Sequence, residues 1–188
     1  MRFVTGGLLT KGIRMGPIGL LLLVVCSCVP VTNGFHAELP KRSMATIVWG
    51  DDLSAVGTAT TWLLRQGLAV TERSLLAGAL EMENRDVTHT LKDEAAILQI
   101  AQKMGVQEVV FVDRGGDDQA PMVSVRGVQV ESNRVRWSGT ARYDTFKMRP
   151  PKDTLADLTC QALATAWGLR EPGTKWFTSS QAMCEIES

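Results

Sequence analysis

The side chains best suited to chemistry in this sequence are four cysteines, two histidines and two short acidic clusters. Cys26, Cys28, Cys160 and Cys184 fall into two distant pairs, without the paired CxxC spacing that a tetrahedral metal site uses. His36 and His89 have no ligand-type cluster around them, and no nucleophile stands beside His89, so neither a metal site nor a Ser-His-Asp or Cys-His arrangement can be argued. Asp51 and Asp52 follow an apolar run, a place where enzymes set metal-binding carboxylates. The same pair also serves to cap a helix, by accepting from its first unbonded N–H groups, and capping is the reading adopted. Arg114-Gly115-Gly116-Asp117-Asp118 lacks the Lys-Ser/Thr of a phosphate-binding loop and the spacing of an EF-hand, which leaves a hairpin loop. The expectation is a protein without a catalytic centre, metal ion or cofactor.

The remaining chemistry lies at the start of the chain. Lys11 and Arg14 precede an apolar run over 17–25, about 10 residues against the roughly 20 that a membrane-crossing helix needs, which is the length of a signal peptide. The run ends in Val25-Cys26-Ser27-Cys28, which resembles a bacterial lipobox: an aliphatic residue and two small ones before the cysteine whose sulfur takes a diacylglyceryl group. Cleavage before Cys28 puts small Ser27 in the peptidase pocket, whereas cleavage before Cys26 would put bulky Val25 there. The other reading is an ordinary secretory cleavage near Ser27, or an uncleaved anchor, with incidental cysteines. Acyl chains contribute about 0.8 kcal/mol per buried methylene, so several of them, palmitate among them, fix a protein to a membrane permanently. Val29 follows Cys28, where enterobacterial sorting uses aspartate to retain lipoproteins at the inner membrane. Valine there implies the periplasmic face of the outer membrane. Residues 28–43 carry two prolines and no periodicity and read as a tether of at most about 50 Å.

The rest must form the domain that this anchor would hold. Lysine and arginine number 20 against 20 aspartate and glutamate, so no basic field exists to collect nucleic acid. The chain of 188 residues, 45% hydrophobic, suits one domain once a leader is set aside. Residues 44–49 read as a buried strand, 53–66 as a helix stopped by Gly67, and 68–70 as a second strand, which together make a parallel β-α-β unit. Ser74 is placed to cap a helix carrying Leu75, Leu76, Ala79, Leu80 and Met82. A further helix begins at Thr90, with Asp93 at the capping-box position and Ile97, Ile100, Ala101 and Met104 as its core stripe. Residues 108–112 form an apolar strand buried on both faces. Clean alternation through Val135, Trp137, Gly139, Ala141 and Tyr143 gives a strand with one buried face, whose partner over 122–130 changes phase near Gly127, as a bulge would. A final helix over 153–167 presents Leu155, Leu158, Ala162 and Ala166 to the sheet and leaves Cys160 off that stripe. Residues 169–188 form a tail too apolar for a free end; either a Cys160–Cys184 disulfide ties it back or the two thiols stay unpaired. The fold class is therefore α/β: one three-layer domain with a mixed sheet of about five strands, a parallel start, an antiparallel hairpin and flanking helices.

Three segments carry a likeness to a known family. Val70-Thr71-Glu72-Arg73-Ser74-Leu75-Leu76 enters a helix that ends in Glu81 and Glu83; a helix, a glycine and a strand follow over 101–112; and 123–143 is a strand, turn and strand that includes Trp137-Ser138. In this order over 44–168 the chain resembles the periplasmic domain of the curli-secretion, CsgG-like lipoprotein family. The same fold type occurs in lipoproteins that activate peptidoglycan synthases and in a Tol-system protein. The resemblance implies a structural helix-entry role for Glu72 and Arg73, and a membrane-tethered assembly or scaffolding factor, homo-oligomeric or bound to an envelope protein. The pore-forming members insert transmembrane hairpins with strands of about 9 to 11 residues, and this chain has no spare segments for them. The contact surface expected from the alternation is an arginine stripe of Arg134, Arg136 and Arg142, joined by Arg126, able to grip carboxylates on a protein or on peptidoglycan; solvated surface charge is the plainer reading.

Overall fold

The computed structural model describes residues 30–82, 93–118, 120–143 and 154–169. Six strands form one mixed sheet. In chain order the elements are β1 (Pro30–His36), β2 (Ala45–Gly50), α1 (Leu53–Arg65), β3 (Ala69–Thr71), α2 (Arg73–Met82), α3 (Glu94–Lys103), β4 (Glu108–Gly116), β5 (Pro121–Gln129), β6 (Arg134–Tyr143) and α4 (Thr154–Ala166). Across the sheet the strands run β1-β6-β5-β4-β2-β3, with β2 parallel to both β3 and β4 and every other pairing antiparallel.

The parallel strands β2 and β4 sit inside the sheet, β2 and the first half of β4 (108–112) being covered on both faces, which is why those stretches are mostly apolar. One core layer joins Val48, Val110 and Val112 to Trp62 and Leu63 of α1 and to Leu158 and Leu163 of α4. The other joins Ile47, Val109 and Phe111 to Leu76 of α2 and to Ile97 and Ile100 of α3. Asp52 caps α1, its carboxylate accepting from the Ala55 N–H at 2.9 Å. A register shift does fall between Gly127 and Val128, but the extra residue is Arg136 on β6 rather than one in β5, and it turns Val135, expected on the buried face, outward to 45% exposure.

The largest departure from the sequence reading is at the tether. Its described part is not slack chain: residues 30–36 pair along their whole length with β6, Pro30 opposite Tyr143 and His36 opposite Trp137. The sixth strand escapes an apolar count because its buried side is made of Thr32 and Gly34. A Cβ on Gly34 would lie 2.5 Å from the Thr165 carbonyl oxygen, so a glycine lets α4 lie directly on this edge. Proline is tolerated as the first residue of an edge strand, where its missing N–H breaks no ladder.

Smaller departures have local causes. Asp93 is itself the N-cap of α3, accepting from Ala95 at 3.0 Å, rather than a capping-box residue inside a helix begun earlier. Ser74 lies inside α2 and donates to Glu72 at 3.2 Å instead of capping. Leu75 is 59% exposed while Leu76 is fully buried, so α2 turns a narrower face inward than its composition suggests. Cys160, placed off the core stripe by helical angle, is completely buried, because α4 packs on the sheet and on α1 and has no wet side along 157–166.

Candidate partner-binding surface

The strand directions give the sheet two chemically different ends. At one end stand the starts of β1 and α1, the end of β6 and the β4–β5 turn, with Asp51, Asp52, Asp113, Asp117 and Asp118. At the other end stand the β1–β2 loop (37–44), the start of β4 and the β5–β6 turn, with Lys41, Arg42, Arg134 and Arg136. Among the described residues one end of the sheet is thus richer in carboxylates, with Arg114 and Arg142 among them, and the other richer in cations, with Glu38, Glu108 and Glu131 among them.

The four arginines of the expected stripe do not share one sheet face. Arg142 and Arg126, which pairs across with Ser138, lie on one face, whereas the register shift makes Arg136 the extra residue of a bulge in β6 and carries Arg134, opposite Gln129, to the other face. Only Arg134 and Arg142 are exposed, eight residue steps and about 26 Å of strand apart. Arg126 is committed to a bidentate ion pair with Glu94 of α3 and stacks over the Phe111 ring at 4.8 Å. The Glu94 hydrogen bonds hold its guanidinium above its ordinary pKa. Arg136 has turned inward: it is 8% exposed and its Nη2 donates to Glu38 at 2.6 Å. The stripe is therefore not a continuous row of free cations.

Arg136 belongs instead to a built polar site at the basic end. The Ala37 N–H donates to its carbonyl at 2.8 Å, which fixes the β1–β2 loop over it. That loop is held farther along by Ser43, whose φ of 64° lies in the left-handed region and whose N–H donates to the Gly67 carbonyl at 2.8 Å. Beneath the loop lies an open cleft of about 400 Å³ walled by Glu38, Lys41, Arg42, Gln107, Gln129 and Arg136. A second opening of about 210 Å³ shares Met44, Gln107, Gln129 and Arg136 with it.

Behind the cleft is a residue that sequence reasoning did not single out. Glu108, the first residue of β4, is fully buried, and its Oε1 accepts from the Trp137 indole N–H at 2.6 Å. Its other oxygen has no hydrogen-bond partner among the described residues. Burial pushes its carboxyl up to about 7 from the usual 4.5, against the opposing pull of the Trp137 hydrogen bond and the nearby Arg136 charge. The one clue in the sequence was a glutamate opening an otherwise apolar strand.

The remaining candidates are quickly placed. Asp52 caps α1 and Asp51 is exposed beside it; among the described residues no group of three or more His, Cys, Asp or Glu could hold a metal ion. Cys160 is disulfide-bonded, and Cys184, like Cys28 and His89, lies outside the described residues. Arg73 reaches back from α2, donating to the Gly50 carbonyl at 2.8 Å and lying over Trp49 at 4.4 Å from the ring centre. No helix among the described residues is long and apolar enough to cross a membrane.

No protein-family model matches the chain, and no curated protein matches it by sequence. Similar solved structures include the LpoB C-terminal domain from Salmonella enterica (18% identity, 56% of this chain and 86% of that one, TM-score 0.49). The PelC dodecamer from Paraburkholderia phytofirmans is another (15% identity, 73% and 96%, TM-score 0.47). A third is lipoprotein GNA1162 from Neisseria meningitidis (13% identity, 58% and 82%, TM-score 0.42). Likeness at this level carries no argument about role, and the α/β fold stands on the strand order and register given above.

Proposed function

We propose that the chain is a lipid-anchored protein of the bacterial envelope that acts by binding a protein partner, not by catalysis, with the lipid on Cys28 and the domain on the periplasmic face of the outer membrane. The observation that carries this reading is the position of β1. Its first residue, Pro30, comes two residues after Cys28, which allows at most about 7 Å of chain between the acylated sulfur's residue and the sheet. An anchor at Cys28 would hold the acidic end near the bilayer and turn the basic end, with its cleft, toward the periplasm. The domain would then have a fixed orientation without needing a long leash.

Two finer tasks fit an anchored binding domain: activating a peptidoglycan synthase, and assembling an envelope or secretion system. We place activation first. The turns that join β4 to β5 and β5 to β6 occupy only 117–120 and 130–133, which leaves no room at those points for bilayer-spanning hairpins and disfavours pore building. The CsgG-like resemblance remains a likeness read from the sequence.

Labelled palmitate and intact mass, compared between wild type and Cys28→Ala, test the anchor. The wild type should incorporate label and sediment with membranes, and the variant should do neither; an unacylated, water-soluble wild type would overturn the reading. Adding the purified full chain to a peptidoglycan synthase assay tests the task. Stimulation supports activation, whereas an inert chain that co-purifies with other envelope proteins returns the assembly reading to first place.

A further inference from the structure

We propose that the cleft at the basic end docks a carboxylate-bearing segment of a partner protein, which the Arg136 guanidinium receives in place of Glu38. The inference deepens the binding role proposed above by naming the face and the chemistry of its occupant.

Arg136 carries the argument. A guanidinium binds a carboxylate best when two N–H groups on one edge donate in parallel, and Nε with Nη2 forms such an edge. Glu38 uses only Nη2, at 2.6 Å, and Nε of the same fork has no partner among the described residues although Arg136 is nine-tenths buried. Leaving a buried donor unfilled is costly, so the present pairing satisfies the site incompletely. Glu38 is also easily displaced. Its side chain is 64% exposed, and an ion pair with one partner so wet contributes little. Its backbone is held by the Arg136 carbonyl in any case, so the carboxylate can swing out without moving the loop.

The walls suit a peptide. Lys41 and Arg42 add positive charge at the rim, the Gln107 and Gln129 amides offer donors and acceptors for main-chain groups, and Met44 supplies an apolar floor. Phosphate groups fit less well. The group this guanidinium already holds is a carboxylate, and Glu38 displaced to the rim repels a dianion more strongly than a singly charged carboxylate. The loop over the site is already fixed by its hydrogen bonds to Arg136 and Gly67, so docking requires no ordering of the cleft.

Fluorescence anisotropy with a labelled hexaglutamate peptide, using the full chain in neutral detergent at low salt, tests the proposal without depending on acylation. The peptide should bind. Arg136→Gln should weaken it about tenfold or more, as expected for losing a charge-assisted hydrogen-bonded pair. Glu38→Gln, an exposed change that leaves the fold intact, should tighten binding several-fold by removing the internal competitor. Hexaglutamine and inorganic phosphate should not compete. The idea fails if hexaglutamate does not bind, if Glu38→Gln leaves affinity unchanged or lowers it, or if phosphate displaces the peptide at equal concentration. Should Arg136→Gln not fold, the Glu38→Gln and competition arms decide alone.

Discussion

Glu108→Gln should stabilise the protein, and only above the acid range. The carboxyl of Glu108 has its pKa raised by burial to about 7 in the folded state and stands near 4.5 when exposed on unfolding. Between those values the folded chain binds the proton that the unfolded chain has released, so stability falls as pH rises through this window and levels off above it. At 1.36 kcal/mol per pKa unit the wild type loses about 3 kcal/mol between pH 4.5 and 8 through this one group. Glutamine keeps an oxygen to accept from Trp137 and cannot ionise, so it does not share the loss. The difference corresponds to about 6 to 12 °C in Tm for a domain of this size. Trp137 lies 6.1 Å from Trp167, which lies 4.9 Å from Trp62, so indole fluorescence reports unfolding at the site itself. Urea titrations of both proteins at half-unit pH steps should give curves that converge near pH 4.5 and separate as pH rises, with the variant above. A constant difference across that range would show that Glu108 is already ionised when folded, and the buried neutral carboxyl would have to be abandoned.

Four further outcomes are expected. Gly127→Ala should cost about 1 to 3 kcal/mol in a denaturation midpoint, because the new methyl runs into the Trp137 indole and the Glu108 carboxylate, both fixed by their mutual hydrogen bond. Asp52→Ala should cost about 1 kcal/mol through loss of the α1 cap. Magnesium or calcium should leave the wild-type melting temperature unchanged, and a metal-dependent rise that Asp52→Ala removes would restore the carboxylate-site reading. Arg126→Met should cost about 1 kcal/mol from the Glu94 pair and the Phe111 stack, with the ion-pair part fading at about 1 M salt; urea titrations at two salt concentrations measure it.

What the sequence discloses here depends on the range of the interaction. The strands β2 and β4 are legible because burial on both faces leaves apolar runs, whereas the bulge is not: its extra residue is Arg136 on β6, and Val125 and Val128 differ in phase because they face opposite core layers. Asp52 is legible because a cap reaches only three residues ahead. β1 is not, since its register comes from β6 and its inward face is Thr32 and Gly34, types that a hydrophobic count scores as loop. The same holds for Arg136, which alternation assigns to the wet face together with Arg134 and Arg142. It is the β1–β2 loop, itself placed by the β1–β6 pairing, that covers Arg136 and gives it Glu38. Glu108 and Trp137 likewise meet across 29 residues only because β5 lies between β4 and β6 with a glycine at the crossing point. In this molecule the local grammar builds the scaffold, whereas the polar site at its basic end arises from long-range pairings. That site is therefore better sought in buried polar groups left partly unsatisfied than in runs of charge along a strand.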